Sequence, residues 1–237
     1  KTKQWIAKHH NASKVLKDLE TFLVEGNQIR SIADINIHLK LESLLKDPAI
    51  QSFKQQQPRS IMWQHYYVAA IYSPIFMEVK KRLKFLLKEH IIYADGYKAS
   101  DLSKVLSTIR AGKYYYESDL KKQDRQTDKP LLDVEMEIYR LLGVDDKVLN
   151  SWRTVHEKWR FKGTYSKGLC QEMRTTGQAT TAIGNVITNM QANLPVIEKY
   201  GATIKLMMML GDDNLMNMEV LVNTKEAEKN IAVTCNM

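Results

Sequence analysis

Three groups of polar residues in this sequence have the types and spacing that bind divalent cations and nucleotides. Asp119 and Asp124 follow a tyrosine-rich segment, and Asp212 and Asp213 follow Gly211 inside an apolar one. Between them lies a segment of threonine, glycine and amide residues. Hard cations such as Mg2+ prefer oxygen ligands, and a pair of such ions stabilises the negative charge that develops during phosphate transfer. These residues therefore predict metal-assisted phosphate chemistry.

The Gly-Asp-Asp group predicts the turn of a β-hairpin. An apolar run, Ile204–Leu210, precedes it, and a second run from Asn214 to Val222 follows it. Glycine permits the backbone to reverse and aspartate tolerates turn dihedrals, although such a triplet alone is most often just a turn. Successive side chains on a strand point to opposite faces, so the turn cannot aim both carboxylates equally. We therefore expect Asp212 as a direct metal ligand and Asp213 in a secondary role.

The first polar group lies at the end of a predicted strand. Aromatic residues at 114–116 favour a strand, and the polar residues beyond it indicate where it ends. Asp119 would then lie at its carboxyl end and Asp124 on the turn into the next helix. We expect this strand to lie beside the hairpin, so that Asp119 and Asp212 converge on the same cations.

The middle group predicts a loop followed by a helix. The loop spans residues 175–178, and residues 179–190 carry an apolar stripe at helical spacing. Thr181 and Asn185 are one turn apart on a different face, so their side chains point together. Polar positions on an ordinary amphipathic helix would look the same, so this group has weight only in combination with the other two.

Amphipathic helices supply most of the elements that must position these groups. Ser73 and Pro74 predict the start of one helix, as its N-cap and its first residue, and Pro130 predicts the start of another. The spacing of Trp152 and Trp159 predicts a third helix with both rings in the core.

The composition indicates a globular protein with a polyanionic partner. The chain has 237 residues, 44% of them hydrophobic, which suits one large domain or a core with an appended subdomain. Its net charge of +8 favours nucleic acid as that partner, and the basic, glycine-interrupted residues 160–174 suggest a hairpin over a nucleic-acid groove.

The cysteine count and the hydropathy bear on the compartment. Two cysteines exclude a disulfide framework and fit a reducing compartment. No apolar run is long enough to cross a bilayer, and the start without methionine suggests a piece of a longer polypeptide.

The order and spacing of the three groups resemble motifs A, B and C of the palm of viral RNA-dependent RNA polymerases. The matching residues are Asp119-x-x-x-x-Asp124, Thr176-Gly177-x-x-x-Thr181-x-x-x-Asn185 and Gly211-Asp212-Asp213. Within that class the sequence resembles the alphavirus-like supergroup of positive-strand RNA viruses. Residues 177–185 and 210–214 look most like those of the endornaviruses. The resemblance covers residues 54–237, with Thr176 where the family commonly has serine.

The resemblance implies an α+β fold: a polymerase palm with a small antiparallel β-sheet backed by helices, a partial helical fingers region, and no thumb. Residues 1–112 would form the fingers-like region. Residues 113–237 would form the palm core, with 140–174 as a fingers insertion. Lys54 and Arg59 stand near the place of the family's basic motif F, which contacts incoming triphosphates.

The same resemblance assigns roles in template-directed nucleotide addition with Mg2+, or with Mn2+ as the alternative ion. Asp119, Asp212 and Asp213 would be catalytic and would bind the metal together with the main-chain carbonyl of Leu120. Hydrogen bonds to the ribose 2′-hydroxyl from Asp124, Thr181 and Asn185 would reject deoxynucleotides, since a missing hydroxyl leaves buried polar groups unpaired. The substrate-binding residues would be Asp124, Thr176, Gly177, Thr181, Asn185, Lys54 and Arg59.

The expected partners are the RNA template and product strand, ribonucleoside triphosphates, and the remaining polyprotein domains, thumb and helicase. The expected location is the host cytoplasm, in replication complexes that other polyprotein regions attach to membranes. One alternative is a non-catalytic RNA-binding module whose aspartates serve only as turns and caps. Another is a reverse transcriptase on a similar palm. A reverse transcriptase would carry a bulky aromatic residue at the place of Asp124, so that residue favours RNA synthesis.

Overall fold

The computed structural model describes residues 1–24, 32–39, 60–120, 123–164 and 166–234, with the backbone alone at 124, 125, 233 and 234. Helices and strands are mixed along the chain, which confirms the α+β class. The elements in chain order are α1 Thr2–Lys8, α2 Ala12–Val24, β1 Asp34–Leu39, β2 Ser60–Gln64, α3 Tyr66–Leu86, β3 Ile91–Tyr93, α4 Ala99–Thr108, β4 Tyr114–Asp119, α5 Gln123–Gln126, α6 Lys129–Leu141, α7 Asp146–Glu157, β5 Trp159–Lys162, β6 Lys167–Cys170, α8 Thr181–Ala192, α9 Leu194–Tyr200, β7 Ile204–Leu210, β8 Asp213–Met218 and α10 Thr224–Thr234.

One four-stranded sheet carries the predicted metal ligands. Its strand order is β3-β7-β8-β4, and β7 and β8 form the predicted hairpin. The expectation of a purely antiparallel sheet is wrong, because β3 pairs with β7 in parallel while β4 pairs with β8 antiparallel. A strand of three residues is too short to show a periodic pattern in the sequence. These strand directions bring the carboxyl ends of β3, β4 and β7 to one edge of the sheet, which we call the carboxylate edge.

The methionines of the hairpin form the core beneath that sheet. Met207, Met209, Met216 and Met218 are all fully buried, and they pack with Val186 of α8 in one apolar cluster. A fully buried side chain of this size contributes about 1.5–3 kcal/mol relative to an exposed one. Helix α8 is therefore fixed against the inner face of the sheet, and the carboxylate edge lies on a rigid base.

A second four-stranded sheet, which the sequence did not predict as a sheet, has the order β2-β1-β5-β6. The basic segment does form the predicted hairpin, as the antiparallel pair β5 and β6. Trp159 begins β5 and is not part of a helix, since α7 ends at Glu157. Its ring is buried with Ile35 and Val155, and its indole nitrogen donates to the carbonyl of Met173 at 2.8 Å. Spacing by itself could not distinguish this strand position from one more helical turn.

The helix predicted from Ser73 begins earlier than expected. Helix α3 runs from Tyr66, and Pro74 lies inside it. A proline inside a helix removes one hydrogen bond and costs about 3 kcal/mol. The turns before it bury Val68 and Ala70 completely, and that packing offsets the cost. The helix predicted from Pro130 is confirmed within one residue, because Asp128 caps α6 by accepting from the amide of residue 131 at 3.1 Å.

The division predicted between residues 112 and 113 stays a prediction. The sheet of the carboxylate edge takes β3 from before that point and its other three strands from after it. Within the ranges described, no helix has both the length and the apolar character that crossing a membrane requires.

Candidate active site

Two aspartates face each other across neighbouring strands at the carboxylate edge. The register pairs Asp119 of β4 with Asp213 of β8, and pairs Asp213 in turn with Leu210 of β7. Opposed residues in an antiparallel pair have Cβ atoms about 4.5–5.5 Å apart. Asp119, Asp212 and Asp213 are all exposed. Their carboxylates are therefore accessible to a cation from solvent.

Gly211 and Asp212 form the two-residue turn between the strands. Gly211 has a φ of 65°, and no described non-glycine residue of the hairpin has a positive φ. A positive φ at only the first turn position is the type II′ pattern, which matches the twist of the flanking strands. A Cβ at Gly211 would meet nothing within 4 Å, so glycine is favoured here by the dihedral angle and not by space.

The strand begins one residue earlier than the sequence predicts, and this changes the geometry of the carboxylates. Asp213 is the first residue of β8 and lies directly opposite Asp119, whereas Asp212 occupies the turn. The turn predicted for Gly211 and Asp212 is present, and Asp213, which the sequence also assigns to the turn, is instead the first residue of the strand. Which of the two aspartates is the stronger ligand stays a prediction.

The carboxylates of this edge repel one another. Partial burial raises the pKa of Asp213, and the neighbouring charges of Asp212, Asp119 and Glu117 raise it further. A like charge disfavours ionisation of its neighbour, and a bound cation would relieve that repulsion. The electrostatics of this edge are thus those of a site that gains stability when a positive ion binds.

The donor set fits Mg2+ or Mn2+ as an ion shared with substrate. In the described part of the chain, no three His, Cys, Asp or Glu side chains are grouped so as to hold a metal ion. Mg2+ usually takes one or two carboxylates and completes its shell with water and substrate phosphates. Asp119 and Asp213 supply that number, and the exposed edge leaves room for the rest.

The loop before α8 is held by buried polar contacts. Thr181 Oγ1 donates to the carbonyl of Thr175 at 2.8 Å and accepts from the amide of Gln178 at 3.2 Å. The side chain of Gln178 donates to Nε2 of His156 at 3.0 Å, and His156 Nδ1 donates to the carbonyl of Trp152 at 2.8 Å. The hydroxyl of Thr181, predicted to act at the ribose, is therefore already part of the loop's own structure.

A buried ion pair supports this loop from below. Arg174 and Glu135 are almost fully buried, and their side chains meet through two hydrogen bonds of 2.6 and 3.1 Å. Tyr139 donates its hydroxyl to Glu135 at 2.5 Å. A Cβ at Gly184 of α8 would overlap the guanidinium of Arg174 and approach Oε1 of Glu135 to 2.7 Å. Glycine at 184 is therefore what allows α8 to lie over the ion pair.

Gly177 joins the loop to the second sheet. Its amide donates to the carbonyl of Met62 at 2.8 Å, and it forms a parallel bridge with Trp63 of β2. A Cβ at this position would lie 2.9 Å from the Cβ of Trp63, closer than real Cβ contacts occur. Close packing against β2 therefore explains why glycine is required at position 177. The predicted contact of Gly177 with substrate stays a prediction.

The short helix α5 is attached to α8 at the predicted ribose site. Gln123 Nε2 donates to the carbonyl of Asn185 at 2.7 Å, and both residues are buried. Asp124 follows Gln123 on α5, and its side chain lies outside the described part of the structure. The contact brings α5, which carries the backbone of Asp124, against α8, and the predicted ribose contacts of Asp124 and Asn185 stay predictions.

Comparison with known proteins decides the family. A family model described as RNA dependent RNA polymerase matches residues 3–237. This chain belongs to the RNA-dependent RNA polymerase family. The predicted resemblance of the sequence to RNA-dependent RNA polymerases of the alphavirus-like supergroup is confirmed. The more specific resemblance to the endornaviruses stays a prediction.

The chain is similar to several viral proteins. The RNA-directed RNA polymerase 2a of Olive latent virus 2 (isolate Italy) is 28% identical over 183 residues, 76% of this chain and 22% of that protein. The protein of the same description from Alfalfa mosaic virus is 25% identical over 79% of this chain and 24% of its own length. The replicase polyprotein 1ab of Beet yellows virus (isolate Ukraine) is 25% identical over 77% of this chain and 6% of its own length. The chain thus spans less than a quarter of the length of each of these relatives.

Four further residues were predicted to belong to the site. Lys54 and Arg59 lie outside the described residues. Leu120 is buried, and its carbonyl accepts a hydrogen bond from the amide of Gln123 at 3.2 Å. Thr176 is exposed at the start of the loop. The predicted roles of these four residues stay predictions.

Sequence reasoning missed the residues that hold this site from behind. Arg174, His156, Gln123, Asn189 and Asn193 are all buried and polar. For Asn189 and Asn193 the sequence did hold a signal, since polar residues recur on the face of α8 that also carries apolar core positions. Only the tertiary contacts distinguish such buried positions from the solvated side of a helix.

Proposed function

We propose that this chain is the catalytic core of a viral RNA-dependent RNA polymerase of the positive-strand type, which adds ribonucleotides to the 3′ end of RNA. The observation that carries the proposal is the placement of Asp119 opposite Asp213, beside the turn that holds Asp212, in a chain of this family. The whole enzyme is a longer polypeptide, as the short share of each relative that the chain covers suggests.

The chemistry is an in-line displacement at the α-phosphate of the incoming nucleotide. Mg2+, when bound, stabilises negative charge on the attacking 3′ oxygen and on the leaving pyrophosphate. Asp119, Asp212 and Asp213 hold the ions at the carboxylate edge. The buried methionine core keeps that edge fixed, so the carboxylates are oriented before substrate arrives.

Choice of the sugar is assigned to the junction of α5 and α8. Asp124 and Asn185 recognise the 2′-hydroxyl of the ribose, and the contact between Gln123 and Asn185 holds them side by side. Thr181 contributes indirectly, because its hydroxyl holds the loop before α8 in place. Lys54 and Arg59 contact the triphosphate.

The remaining assignments follow the polymerase family. The partners are RNA template and product, ribonucleoside triphosphates, and thumb and helicase domains elsewhere in the polyprotein. The site of action is the host cytoplasm, in membrane-associated replication complexes, and the viral group to which we assign the chain is the endornaviruses. The family match favours a polymerase over a non-catalytic RNA-binding module, and Asp124 favours RNA synthesis over reverse transcription.

Substitution of the carboxylates in the full-length polymerase tests the proposal. Asp119→Asn, Asp213→Asn and Asp212→Ala should each lower primer extension by at least about 100-fold, because each removes an ion ligand. Glu117→Gln is the matched control, since Glu117 is an exposed carboxylate two residues before Asp119 on the same strand. It should keep its activity, and circular dichroism should show all four variants folded. Primer extension retained by folded Asp119→Asn and Asp213→Asn would refute the assignment.

The ribose assignment has its own test. Asn185→Ala in the full-length polymerase should reduce the preference for ribonucleotides over deoxynucleotides by about 10-fold or more, because the lost contact is made only with a 2′-hydroxyl. The measurement is the ratio of kcat/KM for the two nucleotides in primer extension. An unchanged ratio would count against the role.

A further inference from the structure

A ring of hydrogen-bonded polar side chains, most of them buried, connects β4, β8 and α8 to the Gly-Asp-Asp turn. Asn214 Nδ2 donates to Ser118 Oγ at 3.3 Å, and Ser118 Oγ donates to Asn193 Oδ1 at 3.3 Å. Asn193 Nδ2 donates to Asn189 Oδ1 at 2.9 Å. Asn189 Nδ2 donates to the carbonyl of Asp212 at 2.7 Å and reaches that of Gly211 at 3.4 Å. The chain of contacts therefore returns to within two residues of its start.

The ring runs in one direction and has no conflict of donors and acceptors. Each amide donates through its nitrogen and accepts, where it accepts, through its oxygen. Hydrogen bonds linked in this way polarise one another and strengthen. Asn189 and Asn193 have no exposed surface and Asn214 has 1%. The contact between Asn193 and Asn189 is therefore shielded from solvent, and the contacts to Ser118 and to the turn are partly buried.

Two members of the ring are the sequence neighbours of the carboxylates. Ser118 precedes Asp119 on β4, and Asn214 follows Asp213 on β8. Adjacent side chains on a strand point to opposite faces, so the ring residues point inward where the aspartates point outward. Asn189 completes the set from α8, and its 2.7 Å contact falls on the peptide that joins Asp212 to Asp213. Because a peptide unit is planar, fixing that carbonyl limits the orientation of both residues.

We propose that Asn189 is a positioning residue that sets the Gly-Asp-Asp turn, and with it Asp212 and Asp213, in register with Asp119. This inference rests on the proposed function, in which Asp119, Asp212 and Asp213 bind the same divalent ions. Without the amide of Asn189 the turn keeps its strands and loses its attachment to α8. The carboxylates then sample several arrangements, of which few suit an ion shared with substrate.

The test compares two substitutions of Asn189 in the full-length polymerase with one matched control. Asn189→Ala removes the side chain, and Asn189→Asp keeps its size and its acceptor for Asn193 while it removes the donor to the turn. Asn217→Ala is the control, since Asn217 is equally buried on β8 and donates to the carbonyls of Gly112 and Tyr114 at the opposite end of the strand. All three variants lose buried amide hydrogen bonds.

Three measurements separate positioning from general stability. Both Asn189 variants should lower kcat about 10- to 100-fold with little change in KM for RNA. They should raise the Mg2+ concentration for half-maximal activity severalfold, and should accelerate hydrogen exchange of the turn amides at 211–214. Asn217→Ala should lose a similar amount of thermal stability and keep kcat and the Mg2+ dependence.

Two outcomes would overturn the inference. In one, the Asn189 variants match Asn217→Ala in kcat, Mg2+ dependence and turn exchange. In the other, turn exchange increases without any change in kcat or Mg2+ dependence. Failure of the proposed function is distinguishable, because it would appear as retained activity in Asp119→Asn and Asp213→Asn, whatever happens at Asn189.

Discussion

At the scale of single residues, the neighbouring carboxylates of the proposed metal site destabilise the folded chain. The pKa of Asp213 is raised by partial burial and by the charges of Asp212, Asp119 and Glu117. A raised carboxyl pKa means that ionisation costs more in the folded chain than in the unfolded one, so stability is lost as pH rises through the titration of this group. Under the proposed function, a cation bound at this edge would offset that cost.

Neutralising Asp213 should therefore stabilise the protein when no divalent ion is present. In chelator at neutral pH, Asp213→Asn should raise the Tm by about 1–3 °C, a modest effect because the group is exposed. Added Mg2+ should raise the Tm of the parent more than that of the variant. Asp146→Asn is the control with the opposite sign, since Asp146 forms an ion pair with Arg140 at 2.8 Å. A Tm of Asp213→Asn at or below that of the parent in chelator would contradict this account.

At the scale of elements, α8 connects every part of the site. Its apolar positions bury against the methionines of the sheet, Asn185 contacts α5, and Asn189 contacts the turn. Its first turns lie over the ion pair of Arg174 and Glu135 at the point where Gly184 has no side chain. The close approach of α8 to this ion pair therefore requires a residue without a side chain at position 184.

A methyl group at that position should disturb the whole site. Gly184→Ala should lower the Tm by about 5–10 °C, because overpacking costs about 1–3 kcal/mol and each kcal/mol shifts the Tm of a chain of this size by a few degrees. Gly201→Ala is the matched control, since Gly201 has helical φ and ψ of −55° and −37° and an added Cβ there would meet nothing within 4 Å. It should leave the Tm unchanged or slightly higher. Equal melting temperatures for the two variants would show that α8 tolerates the methyl group.

At the scale of the whole molecule, the buried His156 connects the second sheet to the loop before α8. Its ring lies against Trp152 and Trp159 with centroid distances of 5.4 and 5.1 Å, and Nε2 accepts from Gln178 of the loop before α8. Burial lowers the pKa of His156 to about 4. The neutral ring is therefore part of the native packing at physiological pH.

This histidine should make the protein sensitive to acid. The unfolded chain binds a proton at His156 near its ordinary pKa of 6.5, and the folded chain does not until about 4, so the free energy of unfolding falls as pH drops between these values. The full effect is about 3 kcal/mol. Chemical denaturation from pH 7 to 4 should show a shallower decline for His156→Gln than for the parent. His38→Gln, at an exposed site on β1, should keep the parent's slope; parallel curves for all three proteins would contradict the prediction.

Much of the site follows from local chemistry that the sequence displays. The tyrosine segment is a strand that ends at Asp119, the Gly-Asp-Asp group is a hairpin turn, and Asn185 lies on a helix with Thr181. Each of these depends on neighbours within a few residues, where propensity and periodicity act. The Trp159 strand and the early start of α3 were mispredicted, because contacts with distant residues outweighed local spacing there.

The order of amino acids is enough to identify the carboxylates, amides and glycines of the site and the kinds of element that carry them. The folded chain was needed to show that Asp213 and not Asp212 lies opposite Asp119, and that Asn189, Asn193 and Arg174 are buried supports. Strand register and the pairing of buried polar groups arise from contacts between segments far apart in the chain, and local sequence does not encode those contacts. A shift of one residue in a strand moves each side chain to the other face.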